Sequence, residues 1–486
     1  MKKTYCNPLP IEEIPDGRPL DCKLTKADPS LFQDYRSISD PSVIYHNGKW
    51  IMYPSYAMAY LSEDFIHWKH IDIGVPELDY SPAIVRFRDK WYLTGHNRPE
   101  FFCADEPTGP FVRCGTLSDV HGNPVLAPDG CFLADGDRLY FYWHSFIPHD
   151  DSVDVEYLTG TLGVEMNPDK PWEMLSQPVV INTYDPAQTW QHMGEYNQNS
   201  RMGWVEGQWA FKIGSRYYLL YSGCGTEFSA YANGIAYSDE GPLSGFHAQK
   251  NHNPLTRKPQ GLTRGAGHGS IAPGPNGNLW IFYTNTFNFN HMYERRVSMD
   301  PLGIDENGEL YCPALTDTPQ FAPGVLEHPE QGNDAGLFPL TFMQRPTASS
   351  NAPGREPIYA SDESMLTWWQ PAANDPAPEI TFRLGSASHY HVHGLRLIWR
   401  DIGMDCPKGI LPGPFRYVVE YIPADETDRW ETLIDASGNR QDLAIDYRQF
   451  QPVTTRFLRL RILGAPDGIT PGLVSLTAFG VCATRN

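Results

Sequence analysis

Ser39-Asp40-Pro41-Ser42-Val43-Ile44-Tyr45-His46-Asn47-Gly48-Lys49-Trp50-Ile51-Met52-Tyr53 is the stretch that decides the fold. An acid stands beside a proline, an apolar run follows, Asn47-Gly48 turns the chain, and an aromatic-rich run returns. Asn-Gly between two apolar runs is a strong short-range signal of a β-hairpin. The unit recurs at Arg88-Asp89-Lys90-Trp91-Tyr92-Leu93 and at Gly136-Asp137-Arg138-Leu139-Tyr140-Phe141-Tyr142. It returns at Gly214-Ser215-Arg216-Tyr217-Tyr218-Leu219 and at Asn276-Gly277-Asn278-Leu279-Trp280-Ile281. Copies spaced roughly 40 to 80 residues apart have the rhythm of propeller blades with variable loops. The expected fold is all-β: a five-bladed β-propeller followed by a smaller antiparallel β-sandwich.

Three acids stand at matching places in these units. Asp40 precedes Val43-Ile44-Tyr45; Asp129, in Pro128-Asp129-Gly130, precedes Cys131-Phe132-Leu133; Glu206, in Val205-Glu206-Gly207, precedes Trp209-Ala210-Phe211. An acid at the start of a buried strand, flanked by Pro or Gly, points to the rim of its sheet. Sheets arranged around an axis bring such acids together, and convergent carboxylates in a cleft are the equipment of acid–base hydrolysis. Any one of them alone is an ordinary turn residue; three in register are not. Asp28-Pro29-Ser30-Leu31-Phe32 offers a second Asp-Pro-Ser, but a polar stretch follows it, so Asp40 is preferred.

The 486 residues carry a formal net charge of −20 and no basic stretch, which argues against nucleic acid as a partner. No segment approaches the roughly 20 apolar residues of a membrane span. The opening residues Met1-Lys2-Lys3-Thr4-Tyr5-Cys6 lack the apolar run of a signal peptide, so the expected location is cytoplasmic, or secreted if a leader has been removed. Nine cysteines without metal spacing suit free thiols; Cys103 and Cys114 are the one pair placed to close a hairpin-like loop.

The first 320 or so residues resemble glycoside hydrolase family 43, five-bladed arabinosidases and xylosidases. Ser39-Asp40-Pro41-Ser42-Val43-Ile44 is similar to the family's first-blade motif, which implies that Asp40 is the general base. Asp129-Gly130-Cys131-Phe132-Leu133 resembles the third-blade motif, where an Asp tunes and orients the acid. Val205-Glu206-Gly207-Gln208-Trp209 is similar to the motif supplying the general acid, Glu206. Gly267-His268-Gly269-Ser270-Ile271 resembles the axial histidine motif, which implies a role for His268 toward a central cation, through waters. No cofactor is needed for the chemistry; the resemblance allows a structural Ca²⁺ or another cation on the axis, and fixing a catalytic carboxylate's hydrogen bonds is the other role open to His268. A late arginine of the family reaches the sugar; Arg295 and Arg296 both qualify, and in a strand they face opposite ways. The chain departs from the family at Gly130-Cys131, usually Pro-Ser, and at Tyr80-Ser81-Pro82-Ala83, often Trp-Ala-Pro-Asp. The Asn-Asp-Pro-Asn and Glu-Cys contexts of invertase-like retaining enzymes are absent from these sites.

Trp143, Trp204 and Trp209 stand near the acids and are candidates to stack on a sugar face. The polar stretch from Val180 to Met202 is expected as a loop walling one end of the cleft, which would make an exo-acting pocket. Residues 1–322 form the expected catalytic propeller, 323–335 a linker, and 336–486 the sandwich. The last part alternates apolar and charged residues, as in Leu395-Arg396-Leu397-Ile398-Trp399, and resembles the discoidin or coagulation-factor C-type module through Thr367-Trp368-Trp369 and Thr455-Arg456-Phe457-Leu458. The expected partner is a carbohydrate. The expected activity is exo-acting, inverting release of terminal α-L-arabinofuranosyl or β-D-xylosyl units. A non-catalytic lectin-like propeller and an endo-acting arabinanase are the alternatives.

Overall fold

The computed structural model describes residues 1–12, 37–55, 59–75, 78–96, 98–149, 154–287, 293–402 and 414–483. Asp28-Pro29-Ser30 lies outside the described residues. Five antiparallel sheets follow one another along the chain. Each begins with a predicted hairpin; blades one, three and four carry an acid at its entrance, blade five His268, and blade two neither. Ser42–His46 pairs with Lys49–Tyr53 in the first, Ala83–Phe87 with Lys90–Thr94 in the second, and Cys131–Asp135 with Arg138–Phe146 in the third. Val205–Ile213 pairs with Arg216–Gly223 in the fourth, and Gly267–Pro273 with Leu279–Thr286 in the fifth.

Packing between blades uses the aromatics of the hairpins. Trp50 of blade one meets Phe282 edge-on at 5.0 Å and Trp280 at 6.4 Å, both from blade five, and so closes the ring. The ring is also latched by the N-terminus, where Thr4–Tyr5 pairs antiparallel with Gln320–Phe321. Asp300 touches that latch through the Tyr5 hydroxyl, which donates to it at 3.3 Å; it also accepts from Tyr283 at 2.7 Å and from Thr316 Oγ1 at 2.7 Å, and burial pushes its carboxyl up to about 7.

The C-terminal unit is antiparallel and two-layered. One strand, Ile445–Gly464, belongs to both layers. Its first half pairs with Tyr390–Ile402, and its second half pairs with Glu379–Arg383 and Arg416–Pro423. Leu395, Leu397 and Trp399 fill the core between the layers. The opposite face of that strand does not meet water as the alternation suggested. Ile398 packs with Leu262 and Phe287 of the propeller. Arg396 is fully buried and donates to the carbonyls of Asn7 at 2.9 Å and Asp317 at 2.6 Å, with Glu363 Oε2 at 2.6 Å completing the site. A charge that reads as outward is therefore the anchor of the domain contact. The segment expected as a linker is tied back to the end of the propeller: Phe321 N–H donates to Asn333 O at 2.9 Å, and Ala335 N–H to Pro319 O at 3.1 Å.

The stretch from Val180 to Met202 is not one open loop. Val179–Thr183 joins blade three, and His192–Met193 pairs with Asn199–Gly203 as a small hairpin. Trp190 between them is buried against Tyr221. Among the described residues the cysteines, Cys103 and Cys114 included, are free thiols. No helix is long and apolar enough to cross a membrane, a statement that does not bear on strands.

Candidate active site

Asp40, Asp129 and Glu206 converge on one pocket, together with Tyr80, His96, His268 and Arg295. Local backbone chemistry aims them there. Asp40 and Asp129 take left-handed φ values of 53° and 52°, which Asp tolerates better than most residues. Each turns its side chain off the blade at the strand entrance. In blades four and five the pairing register shifts between Glu206 and Trp209 and between Gly267 and Ser270. Such bulges re-aim side chains next to active sites. Gly207 is required in the first of them: its φ is 62°, and a Cβ there would lie 3.0 Å from His268 Cγ.

Asp40 is buried and enclosed by donors. Arg295 grips it with both terminal nitrogens, 2.8 Å to Oδ1 and 2.9 Å to Oδ2. Ser55 Oγ donates at 2.7 Å and Ser39 Oγ at 2.9 Å, both to Oδ2. His268 Nδ1 lies 3.3 Å from Oδ1. Burial works to raise this carboxyl, but the Arg295 and His268 charges and the Ser55 bond outweigh it, and Asp40 stays below the usual range.

Asp129 is handled in the same way by different residues. Ser81 Oγ donates to Oδ1 at 2.8 Å, and His96 Nδ1 lies 2.8 Å from the same oxygen. Its Oδ2 accepts the Gly207 N–H at 3.4 Å, one residue beyond Glu206. Burial again opposes ionisation and the neighbouring histidines overcome it, so Asp129 lies well below the ordinary value. In return, although burial alone would lower it, His96 is raised by Asp129.

Glu206 is half-buried and held by two neutral donors. Trp204 Nε1 reaches Oε2 at 2.5 Å and the Tyr231 hydroxyl reaches Oε1 at 2.7 Å. The Trp204 ring rests on His144, centroids 4.9 Å apart, and on Phe146 at 5.8 Å. Trp204 thus meets the site through Glu206.

The tryptophans divide. Trp143 is a correction: it is buried in the apolar cluster of blades two and three, stacked near Phe141 at 5.8 Å, and does not line the pocket. Strand parity explains this, since the next residue, His144, turns the other way and meets Val205 O at 2.7 Å. Trp209 packs with the apolar side chains of blades three to five. The arginines divide by the same parity. Arg295 faces the pocket and also donates to Thr226 Oγ1 at 2.8 Å; Arg296 turns away, onto the Phe287 ring and toward Glu294 at 3.7 Å.

Several lining residues carry no signal that the acid pattern could have picked out. Ser81 lies just ahead of blade two, two residues before Ala83, and its hydroxyl donates to Asp129. His96, Thr226 and Tyr293 come from loops, and Tyr231, which holds Glu206, precedes the third strand of blade four.

Ca²⁺ takes six to eight oxygen ligands. At the axis the side chains offer one imidazole, His268, whose Nδ1 already faces Asp40, and carboxylates already engaged by Arg295 and His96. These residues do not form a Ca²⁺ shell of their own, and no step is routed through an ion. Among the described residues one cluster has three metal-capable side chains, His252, Asp305 and Glu309; its Glu309 carboxylate already accepts the N–H groups of Lys250 and Asn251 at 2.7 and 2.8 Å.

Comparison with known proteins agrees with this fold. A search of curated protein sequences gave no match. A solved structure titled "Glycoside hydrolase" is 18% identical, with a TM-score of 0.50 over 91% of this chain and 97% of its own. A thermostable family-43 glycoside hydrolase is 20% identical, with a TM-score of 0.51 over 66% of this chain and 99% of its own. At such identity these likenesses speak for the fold alone. The sequence profile of Glycosyl hydrolases family 43 matches residues 29–310, which span all three acids, His268 and Arg295, and the chain belongs to that family.

Proposed function

We infer that the protein is an exo-acting, inverting glycoside hydrolase that releases terminal α-L-arabinofuranosyl or β-D-xylosyl units from plant-derived glycans or oligosaccharides. The observation that carries this reading is the meeting of Asp40, Asp129 and Glu206 in one pocket. Inversion needs a carboxylic acid to protonate the departing oxygen and a carboxylate on the opposite sugar face to activate water, roughly 6.5–9.5 Å apart. Asp40, held ionised by Arg295, is suited to be the base. Glu206, held by neutral donors only, is suited to be the acid.

The donors also assign the proton. An indole N–H only donates, so Oε2 of Glu206 remains an acceptor. A hydroxyl rotates, so Tyr231 can accept instead of donate. The transferable proton then sits on Oε1. As the glycosidic bond breaks, that proton passes to the leaving oxygen. Water attacks the anomeric carbon from the other side and gives its proton to Asp40. Asp129 acts as a positioning residue, fixing the Gly207 N–H and with it the backbone that carries Glu206.

The pocket volume, about 250 Å³, supports an exo mode. It falls below the roughly 300–1,000 Å³ of pockets for drug-sized ligands and suits a single sugar ring. The test is a paired assay with 4-nitrophenyl α-L-arabinofuranoside and β-D-xyloside, beside a cross-linked arabinan that reports internal cuts. Turnover of a pentoside without arabinan solubilisation is expected. Inactivity on both pentosides, or rapid internal cleavage, contradicts the reading.

A further inference from the structure

One residue in each blade takes left-handed backbone at or beside the start of its first strand: Asp40 at φ 53°, Ser81 at 45°, Asp129 at 52°, Gly207 at 62° and His268 at 37°. Gly207 adopts it freely. For Ser81 and His268 it is strained, and such strain persists only where the surroundings over-determine it. What surrounds these five residues is a circuit of buried hydrogen bonds around the axis. Thr284 Oγ1 of blade five accepts the Asp40 N–H at 3.0 Å. Ser55 Oγ of blade one donates to Asp40 Oδ2 at 2.7 Å and accepts the Ser81 N–H of blade two at 3.3 Å. Ser81 Oγ donates to Asp129 Oδ1 of blade three at 2.8 Å, and Asp129 Oδ2 accepts the Gly207 N–H of blade four at 3.4 Å. Across the blade-four hairpin Ser222 pairs with Glu206, and a Cβ on Gly207 would lie 2.8 Å from Ser222 Oγ. Ser222 Oγ accepts the His268 N–H at 2.7 Å, and His268 O accepts from Thr284 Oγ1 at 3.2 Å, which closes the circuit.

The four hydroxyls have no freedom to turn. All are buried, and a hydroxyl carries one proton. Thr284 gives its proton to His268 O, Ser55 to Asp40 and Ser81 to Asp129. Ser222 gives its own to Asn233 Oδ1 at 2.8 Å and so can only accept from His268. Each bond therefore has one direction, and a buried network with every member satisfied rigidifies what it holds. Thr284 and Ser55 hold Asp40 by its backbone and its carboxyl. Ser81 holds Asp129, and Asp129 holds the residue after Glu206. None of the four hydroxyls moves a proton in the mechanism above; what they fix is where the acid stands relative to the base.

We propose that Ser55, Ser81, Ser222 and Thr284 are positioning residues, a circuit of hydroxyls that sets the acid Glu206 against the base Asp40. This rests on the roles those two residues have in the pentosidase reading and adds what fixes their separation. The test is steady-state kinetics of Thr284→Val, Thr284→Ser and Ser81→Ala on the better 4-nitrophenyl pentoside and on the matching alkyl pentoside, with thermal melting to show that each variant is folded. Misplacing a reacting group by about 1 Å costs up to about a hundredfold in rate. Thr284→Val keeps the shape but leaves the Asp40 N–H and the His268 carbonyl unpaired. It acts on the base, so kcat is expected to fall by about ten- to hundredfold on both substrates at a nearly unchanged KM. Thr284→Ser, which restores the hydroxyl, should return kcat to near the wild-type value. Ser81→Ala acts on the acid side through Asp129 and Gly207, so its loss should be larger on the alkyl leaving group than on 4-nitrophenyl. A purely structural role would lower the melting temperature without that difference between leaving groups. Wild-type kcat in Thr284→Val overturns the proposal, as does Thr284→Ser no better than Thr284→Val. Should Thr284→Val fail to fold, Ser81→Ala decides alone: no loss, or an equal loss on both substrates, overturns the proposal. A wild-type enzyme inactive on both pentosides would instead remove the pentosidase reading, and this proposal with it.

Discussion

Replacing Glu206 by Gln removes a proton and little else, and the structure says why. The amide oxygen can take the place of Oε2 and accept the Trp204 N–H, now at 2.5 Å. The amide NH₂ takes the place of Oε1 and donates to the Tyr231 oxygen, whose hydroxyl rotates away. Both contacts survive, so folding stability should change by less than about 1 kcal/mol, the scale of one neutral hydrogen bond. General acid catalysis contributes roughly 10²–10⁴-fold. On a sugar or alkyl leaving group, kcat/KM should fall by that factor, about 3–5 kcal/mol in the barrier. On a 4-nitrophenyl leaving group, which departs with little protonation, the loss should be smaller by at least about tenfold. The assay is kcat/KM for both substrate types, with a denaturation curve as a control for folding. Equal, small losses on both substrates would refute the assignment of Glu206 as the acid.

Arg295→Ala leaves burial to act on Asp40 without its strongest opponent, so the carboxyl rises and the acid limb of the kcat/KM–pH profile moves to higher pH; an unmoved limb argues against Asp40 as the base. The depressed Asp40 contributes stability above its unfolded value of 3.8 that is lost as pH falls, so the same variant should unfold less steeply toward acid. His96, raised in the folded state, contributes stability that is complete below its ordinary 6.5 and is lost as pH rises through its folded value. The stability gap between wild type and His96→Asn should therefore be widest near neutral-to-acid pH and close on the alkaline side, as urea unfolding at several pH values will read. Arg396→Met strands Glu363 and two carbonyls at the domain contact; breaking a buried pair costs about 3–5 kcal/mol, measurable as a lower denaturant midpoint, and an unchanged midpoint would count against the anchor role.

Much of the fold was legible because its signals are local. Asn47-Gly48 and Asn276-Gly277 announce hairpins, and Asp40-Pro41 and Asp129-Gly130 place an acid where the backbone must turn off the blade. The left-handed φ values of both acids are the physical content of that pattern. Contacts made across a blade or between neighbouring blades were not legible. Tyr231 reaches Glu206 across the blade-four hairpin, and His96 reaches Asp129 from the neighbouring blade; neither pairing leaves a trace in spacing along the chain. Period-two alternation states which residues share a face but not what covers it. Trp143 went to the core while His144 turned toward Val205, and Arg396, expected to meet solvent, was covered by the propeller. Arg295 and Arg296 were known to part company, and only the Asp40 contact decided between them.

In the proposed mechanism Asp40 activates water while Glu206 protonates the leaving group from the other side of the sugar. Proton NMR of the first-formed pentose, recorded before mutarotation scrambles it, tests this directly. The expected first product is the anomer opposite to that of the substrate, with no transfer of the sugar to added methanol. A first product of retained configuration, or a methyl glycoside, would mean a covalent intermediate and would contradict it.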